Sequence, residues 1–156
     1  MVVSNTRLDW LRYLVVLFVV AVAINYVWEA AQASLFVGMV SIQTIWWHCF
    51  VASLGDGIIL WIIHLLGWCV FRQVDWFVSP GAARYGVMLG TGLVIAIASE
   101  WVAIHWLFRW AYTEKMPLVP GLEIGVTPVL QMLVLPPLIF WIVGLCFGSR
   151  RSDPRK

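Results

Sequence analysis

Charged residues are scarce in this chain. Only 12% of its 156 residues are charged, whereas about a quarter of the residues of a soluble domain are. The mean hydropathy of +0.90 and the 62% share of hydrophobic residues agree with this deficit. We therefore exclude an ordinary soluble domain and predict an integral membrane protein surrounded by the lipid bilayer. The net charge of +2 gives no reason to expect a nucleic-acid partner.

Cysteine is also sparse. The three cysteines, Cys49, Cys69 and Cys146, form no C-x-x-C pair, and an odd number leaves at least one without a disulfide. This pattern argues against a membrane disulfide-exchange enzyme. Cys49 follows His48 directly, but a buried, inert side chain is the more common role of an isolated cysteine.

The chain has instead four long apolar stretches, at about 11–31, 45–66, 86–106 and 126–147. Each supplies the roughly 20 residues that a helix needs to cross about 30 Å of hydrocarbon. The ten-residue alternation of a membrane β-barrel is missing. The sequence predicts one all-α domain over residues 1–156, a four-helix transmembrane bundle with a cap loop at 107–125. The Pro136-Pro137 pair predicts a kink in the fourth helix.

Positive charges fall mostly on one side of these stretches. Eight Lys and Arg residues precede the first stretch, separate the second from the third or follow the fourth, and only Arg109 and Lys115 lie on the other side. Because positive loops stay in the cytoplasm, both termini are predicted there. The first stretch is long for a signal peptide, and we expect it to be retained as a span.

Three carboxyl groups interrupt the apolar stretches. Glu29, Asp56 and Glu100 lie within or at the edge of segments otherwise suited to lipid. An ionisable side chain at the bilayer centre costs about 2.5–3.5 kcal/mol on insertion scales and usually marks a functional site. These residues are therefore the first candidates for such a site.

Other polar residues fall at a similar depth, in the outer half of the membrane. On the second span, His48 and Asp56 lie two turns apart on one helical face, and on the first, Asn25, Glu29 and Gln32 lie on one face. The third and fourth spans and the cap loop add Trp101, His105, Arg109, Tyr112 and Gln131. The sequence thus predicts one polar cluster to which all four spans contribute.

The inner half is poor in polar residues by contrast. His64 is its only strongly polar side chain, and we expect it to make one hydrogen bond to a neighbouring carbonyl. A transporter needs polar groups at both depths, so this asymmetry argues against one.

The chain carries a specific order of short motifs: Trp28-Glu29 with Gln32, His48-Cys49 with Gly55-Asp56, Ser99-Glu100-Trp101, Trp110-Ala111-Tyr112 with Met116-Pro117, and Thr127-Pro128 with Gln131 and Pro136. This order resembles an uncharacterised family of small four-span bacterial membrane proteins, over nearly the whole chain. The resemblance implies a bacterial inner-membrane location and the same polar positions as a group, but no particular activity. His105 departs from the family's pattern.

One hypothesis for the cluster is a metal site. Glu29, His48, Asp56 and Glu100 offer the oxygen and nitrogen donors that suit zinc, iron or manganese. No H-x-x-x-H or E-x-x-H spacing supports it.

A second hypothesis is a metal-free acid–base site that acts on a membrane amphiphile. Asp56 would donate a proton and Glu100 or Glu29 would accept one. Arg109 and Tyr112 would hold a polar head group. The wider binding set is Gln32, His48, Trp101 and Gln131.

Two alternatives need no substrate. The cluster could be a buried structural network in which Glu29 or Glu100 pairs with Arg109. The protein could also be a non-catalytic accessory or assembly subunit, or a homo-oligomer, since Gly86, Gly90 and Gly92 would let helices approach closely. Our main interpretation is a polar pocket that binds a metal ion or amphiphile, and the sequence does not decide whether the protein is an enzyme.

Overall fold

The computed structural model describes residues 6–78 and 80–148. Four helices dominate these residues: α1 (Thr6–Gln32), α2 (Ile42–Phe71), α3 (Ala82–His105) and α4 (Val126–Gly148). Each is long and apolar enough to cross a membrane, which is consistent with a multi-pass membrane protein. The prediction of four long apolar helices is confirmed. The positive residues at 150–156, on which the predicted orientation partly depends, lie outside the described residues.

Helix α2 has a defined cap at each end. The Ser41 hydroxyl accepts a hydrogen bond from the backbone N–H of Thr44 at 3.1 Å, a typical N-cap. At the other end Arg72 is left-handed, with φ 55°, and its N–H donates to the Trp68 carbonyl at 2.8 Å. These caps set the helix at 30 residues, or about 45 Å, longer than the hydrocarbon layer.

Helix α4 runs without interruption through Pro136 and Pro137, so no break in the helix accompanies the predicted kink. It packs very closely on α3 at Gly92. A Cβ atom added to Gly92 would lie only 2.8 Å from the Met132 carbonyl oxygen. Only glycine permits this approach. Gly86, Gly90 and Gly92 are the glycines predicted to permit close helix contacts. Gly92 makes such a contact within the bundle, between α3 and α4.

The four helices form a ring in which α1 and α3 each pack against α2 and α4. Leu17, Leu60, Ile63, Ile139 and Val143 fill the centre of the ring and are fully buried. The outward faces are apolar too, because every helix exposes several large hydrophobic side chains. Such an exterior is suited to lipid.

The loops that follow α1 and α3 meet at one end of the bundle, which we call the cap end. It comprises a 3₁₀ turn at Ala33–Leu35 and the segments 36–41 and 106–125. The two loops are joined by their backbones, since the Val37 N–H donates to the Ala111 carbonyl at 2.9 Å. The cap is therefore an ordered layer over the ends of the helices.

The all-α prediction missed a small hairpin in this layer. Strand β1 (Leu118–Val119) pairs antiparallel with β2 (Ile124–Gly125), and β2 runs directly into α4. The intervening turn uses Gly121 at φ 81°. Strands of two residues give no alternation in the sequence that would reveal them.

The opposite end, which we call the base end, is closed by the α2–α3 loop. Trp76 and Phe77 of this loop are fully buried against the helices. A Cβ added to Gly67 would lie 2.2 Å from the Trp76 indole, so only glycine leaves room for that ring. The indole N–H donates to the backbone carbonyl of His64 at 3.1 Å.

Candidate functional site

Gln131 of α4 connects polar side chains from two other helices. Its Nε2 donates to Oδ1 of Asn25 on α1 at 2.8 Å and to Oδ2 of Asp56 on α2 at 2.9 Å. Gln131 and Asn25 are buried completely or nearly so. Both N–H bonds of the Gln131 amide are therefore used inside the bundle.

Gln32 extends this arrangement toward the cap end. Its Nε2 donates to Oε1 of Glu29 at 2.9 Å and to Oε1 of Gln131 at 3.3 Å. Its own Oε1 accepts from the indole N–H of Trp28 at 3.2 Å. The i, i+3 and i, i+4 spacings place all three α1 side chains on one face of the helix.

Glu100 of α3 is held by the cap. One carboxyl oxygen, Oε2, accepts from the Tyr112 hydroxyl at 2.5 Å and from the Trp110 indole N–H at 3.3 Å. The Tyr112 oxygen in turn accepts from the backbone N–H of Gly125 at 2.8 Å. Tyr112 thus links Glu100 to the hairpin that precedes α4.

Burial, followed by the hydrogen bond to Glu100, raises the pKa of Tyr112 above its ordinary value. The phenol therefore keeps its proton and remains a hydrogen-bond donor at neutral pH.

These two sets of side chains form one site, the carboxyl–amide network, which consists of Asn25, Trp28, Glu29, Gln32, Asp56, Glu100, Trp110, Tyr112 and Gln131. Glu29, Asp56 and Glu100 lie close enough to one another to interact electrostatically. All four helices and the cap contribute side chains to it.

Asp56 and Glu100 each keep one carboxyl oxygen without a hydrogen-bond partner. Oδ1 of Asp56 and Oε1 of Glu100 have no bond within residues 6–78 and 80–148. In the same residues, the only side-chain atoms that are both unpartnered and sealed from a water-sized probe belong to His64. Neither carboxyl oxygen is therefore completely sealed inside the protein.

Other predicted members of the site lie apart from the network. His48 is exposed, and its Nδ1 bonds to the Thr44 carbonyl of its own helix at 2.8 Å. His105 bonds similarly to Trp101, whose ring is 38% exposed and stacks on that of His105. Both α2 and α3 thus turn these rings away from the carboxyl groups.

Arg109 is exposed in the cap, and within the described part of the chain it makes no ion pair with a carboxyl group. The predicted pairing of Arg109 with Glu29 or Glu100 is therefore wrong. Tyr112 and Trp110 occupy the place at Glu100 that the arginine would have taken.

The predicted metal ligands do not fit a metal ion. Among the described residues, no group of three or more His, Cys, Asp or Glu side chains is placed to hold one. The exposed side chain of His48 removes the only nitrogen donor from Glu29, Asp56 and Glu100. Amide and indole N–H groups donate to these acids instead, and an N–H group supplies no ligand atom for a metal ion.

The expectation for His64 is also wrong. Its side chain is 1% exposed, and neither ring nitrogen has a hydrogen-bond partner. Aromatic rings of Trp10, Trp76, Phe77 and Phe140 surround it, with centroids at 5.5–6.5 Å. Only the backbone carbonyl of His64 takes part in a hydrogen bond with this cluster, as the acceptor for the Trp76 indole N–H.

The predicted site residues omit two members of the network. Asn25 lies one turn before Glu29 on the same face of α1, which is a usable signal. Trp110 gives no such signal, because a sequence does not distinguish an indole that anchors the chain at the membrane interface from one that donates to a buried acid.

Comparison of the chain with family models, with curated proteins and with solved structures finds no match.

Proposed function

We propose that this protein binds the polar head of a membrane amphiphile in the carboxyl–amide network, in the outer half of a bacterial inner membrane. The observation that carries the proposal is the pair of unpartnered oxygens on Asp56 and Glu100 beneath the cap, neither of which is completely sealed. A purely structural network would satisfy its acceptors internally, because lipid supplies no donors. The orientation follows from the charge distribution, with both termini in the cytoplasm.

The same arrangement supports acid–base chemistry. Glu29, Asp56 and Glu100 interact electrostatically, so protonation of one carboxyl group favours ionisation of another. In this proposal Glu100 or Glu29 takes a proton from the bound head group, and Asp56 then returns one to it, so that the exchange leaves the number of protons unchanged. Gln131 positions Asp56, and Tyr112 positions Glu100, through the hydrogen bonds already described.

The test compares wild-type protein with a Glu29→Gln/Asp56→Asn/Glu100→Gln variant. Both are purified in the same detergent, and molecules that co-purify are identified by mass spectrometry after denaturation. We expect a stoichiometric amphiphile in the wild type that the triple variant lacks. Glu114→Gln is the matched control, because Glu114 is an exposed acid of the cap. An equal lipid content in all three proteins would overturn the proposal.

A second candidate function is that of a subunit of a membrane complex. It is favoured by Gly86 and Gly90 on the exposed face of α3, where an added Cβ would meet no atom within 4 Å. Such a small-xxx-small surface allows another helix to approach closely. Replacement of both residues by Leu should release a co-purifying protein or dissociate an oligomer. An unchanged mass by light scattering would exclude this role.

A further inference from the structure

The donors of the carboxyl–amide network are almost all used within it. Gln131 donates to Asn25 and Asp56, Gln32 donates to Glu29 and Gln131, and Trp28 donates to Gln32. Trp110 and Tyr112 both donate to one oxygen of Glu100. What the site lacks is donors for the remaining carboxyl oxygens.

Positive charge is lacking as well. No Lys or Arg side chain bonds to the network in the described segments, and Arg109 and Lys115 are exposed in the cap. Burying an unpaired charge is costly. Each of the three carboxyl groups must therefore either keep its proton or face a positive charge. A ligand that brings its own positive charge would meet this need.

Glu100 carries one of these oxygens at a buried position. The residue is only 9% exposed, yet Oε1 has no partner among the described residues and is not completely sealed. A buried oxygen without a donor is suited to accept a hydrogen bond from a bound ligand. Asp56 Oδ1 offers a second acceptor of the same kind.

Aromatic side chains complete the chemistry. The rings of Trp28, Trp110 and Tyr112 each carry a polar atom bonded into the network. Carboxylates beside aromatic rings bind ammonium groups through charge-assisted hydrogen bonds and cation–π attraction. A metal ion needs three or more convergent ligands, which the described residues do not offer.

From these observations we infer that the ligand of the network carries a primary ammonium group, which donates hydrogen bonds to Asp56 and Glu100. The inference rests on the proposed binding of an amphiphile and names the chemistry of its head group. The ammonium belongs either to a lipid, as in phosphatidylethanolamine, or to a free amine.

The test uses the full chain in nanodiscs of equal parts phosphatidylethanolamine, phosphatidylcholine and phosphatidylglycerol, with retained lipid measured by native mass spectrometry. We expect phosphatidylethanolamine to be retained over phosphatidylcholine by about tenfold, the effect of one charge-assisted hydrogen bond, because the quaternary ammonium has no N–H. Glu100→Gln and Asp56→Asn should each remove the preference, and Glu114→Gln should keep it. Circular dichroism and gel filtration confirm that each variant is folded.

Further outcomes separate the two claims. Retention of phosphatidylglycerol or phosphatidylcholine, lost in the same variants, would overturn the ammonium inference and leave amphiphile binding intact. Binding of soluble ethanolamine without any lipid preference would support the ammonium and overturn the amphiphile. If no species depends on Asp56 or Glu100, both proposals fail.

Discussion

Nε2 of Gln131 lies 2.9 Å from Oδ2 of Asp56 and donates a hydrogen bond to it, from α4 to α2. These helices lie on opposite sides of the ring, so the bond crosses the interior of the bundle. In lipid no solvent competes for either group, and the pair holds the carboxyl group in one position. The position of Asp56 thus depends on a side chain 75 residues away in the sequence.

Gln131→Met should destabilise the bundle. Methionine has a similar length but cannot replace the hydrogen bonds to Asn25, Asp56 and Gln32. We expect the free energy of unfolding to fall by about 1–3 kcal/mol, measured by denaturation in detergent. Gln43→Met is the control, because Gln43 is exposed on α2. Equal stability of the two variants would contradict the role of Gln131.

Tyr112 should make stability fall at high pH. Its pKa in the folded protein is raised, mainly by burial and then by the bond to Glu100, so the folded state holds the phenolic proton more tightly than the unfolded state. Its contribution is therefore complete below about pH 10, the ordinary pKa of tyrosine, and is lost as the pH rises through the folded value.

Tyr112→Phe isolates this effect. The variant should be less stable at neutral pH, because Glu100 and the Gly125 N–H each lose a partner. Its unfolding midpoint should then decline less than that of the wild type between about pH 10 and 12. If the unfolding midpoints of the two proteins decline in parallel, groups other than Tyr112 cause the loss of stability at high pH.

Gly67→Ala should weaken the base end. The added methyl group would lie 2.2 Å from the Trp76 indole, which is buried and cannot shift freely. We expect a loss of about 1–3 kcal/mol, typical of overpacking. Gly55→Ala on the same helix meets no atom within 4 Å and should be neutral or stabilising. Thermal unfolding in detergent compares the pair, and similar midpoints would contradict the packing of Trp76.

His64→Leu should raise stability. The imidazole is buried with neither nitrogen bonded, so its replacement removes a desolvation penalty of about 1–3 kcal/mol. The gain is measured by the same unfolding assay, with the exposed His48→Leu as the control. A marked loss of stability would indicate that His64 has a partner in the native membrane.

The scarcity of charge and the length of the apolar stretches predict the four helices. In lipid the backbone must form its hydrogen bonds internally, and a single apolar stretch can do so only as a helix. Depth along each helix also places Asp56, Glu100 and Gln131 in the same half of the bundle, but it does not decide whether Glu29 lies in the site or above it. Rotation about the helix axis is harder to predict when both faces are apolar, as α2 illustrates: Asp56 turns inward, whereas His48 is exposed.

The partners of the acids could not be predicted for a different reason. Glu100 bonds to Tyr112 because the two loops of the cap join through their backbones, a long-range contact with no local signal. Arginine is the obvious partner for a buried acid on electrostatic grounds. At Glu100, two neutral donors from the cap take its place.

The most direct test of the central claim is photo-crosslinking of the full chain in lipid vesicles that contain a diazirine-tagged phosphatidylethanolamine. If the network binds the lipid head group, we expect adducts on Glu29, Asp56 or Glu100. Excess untagged lipid should prevent these adducts from forming, and Gln131→Met should reduce them. Adducts confined to exposed lipid-facing residues such as Trp46 and Trp106, and unaffected by competitor, would contradict the claim that the network binds an amphiphile.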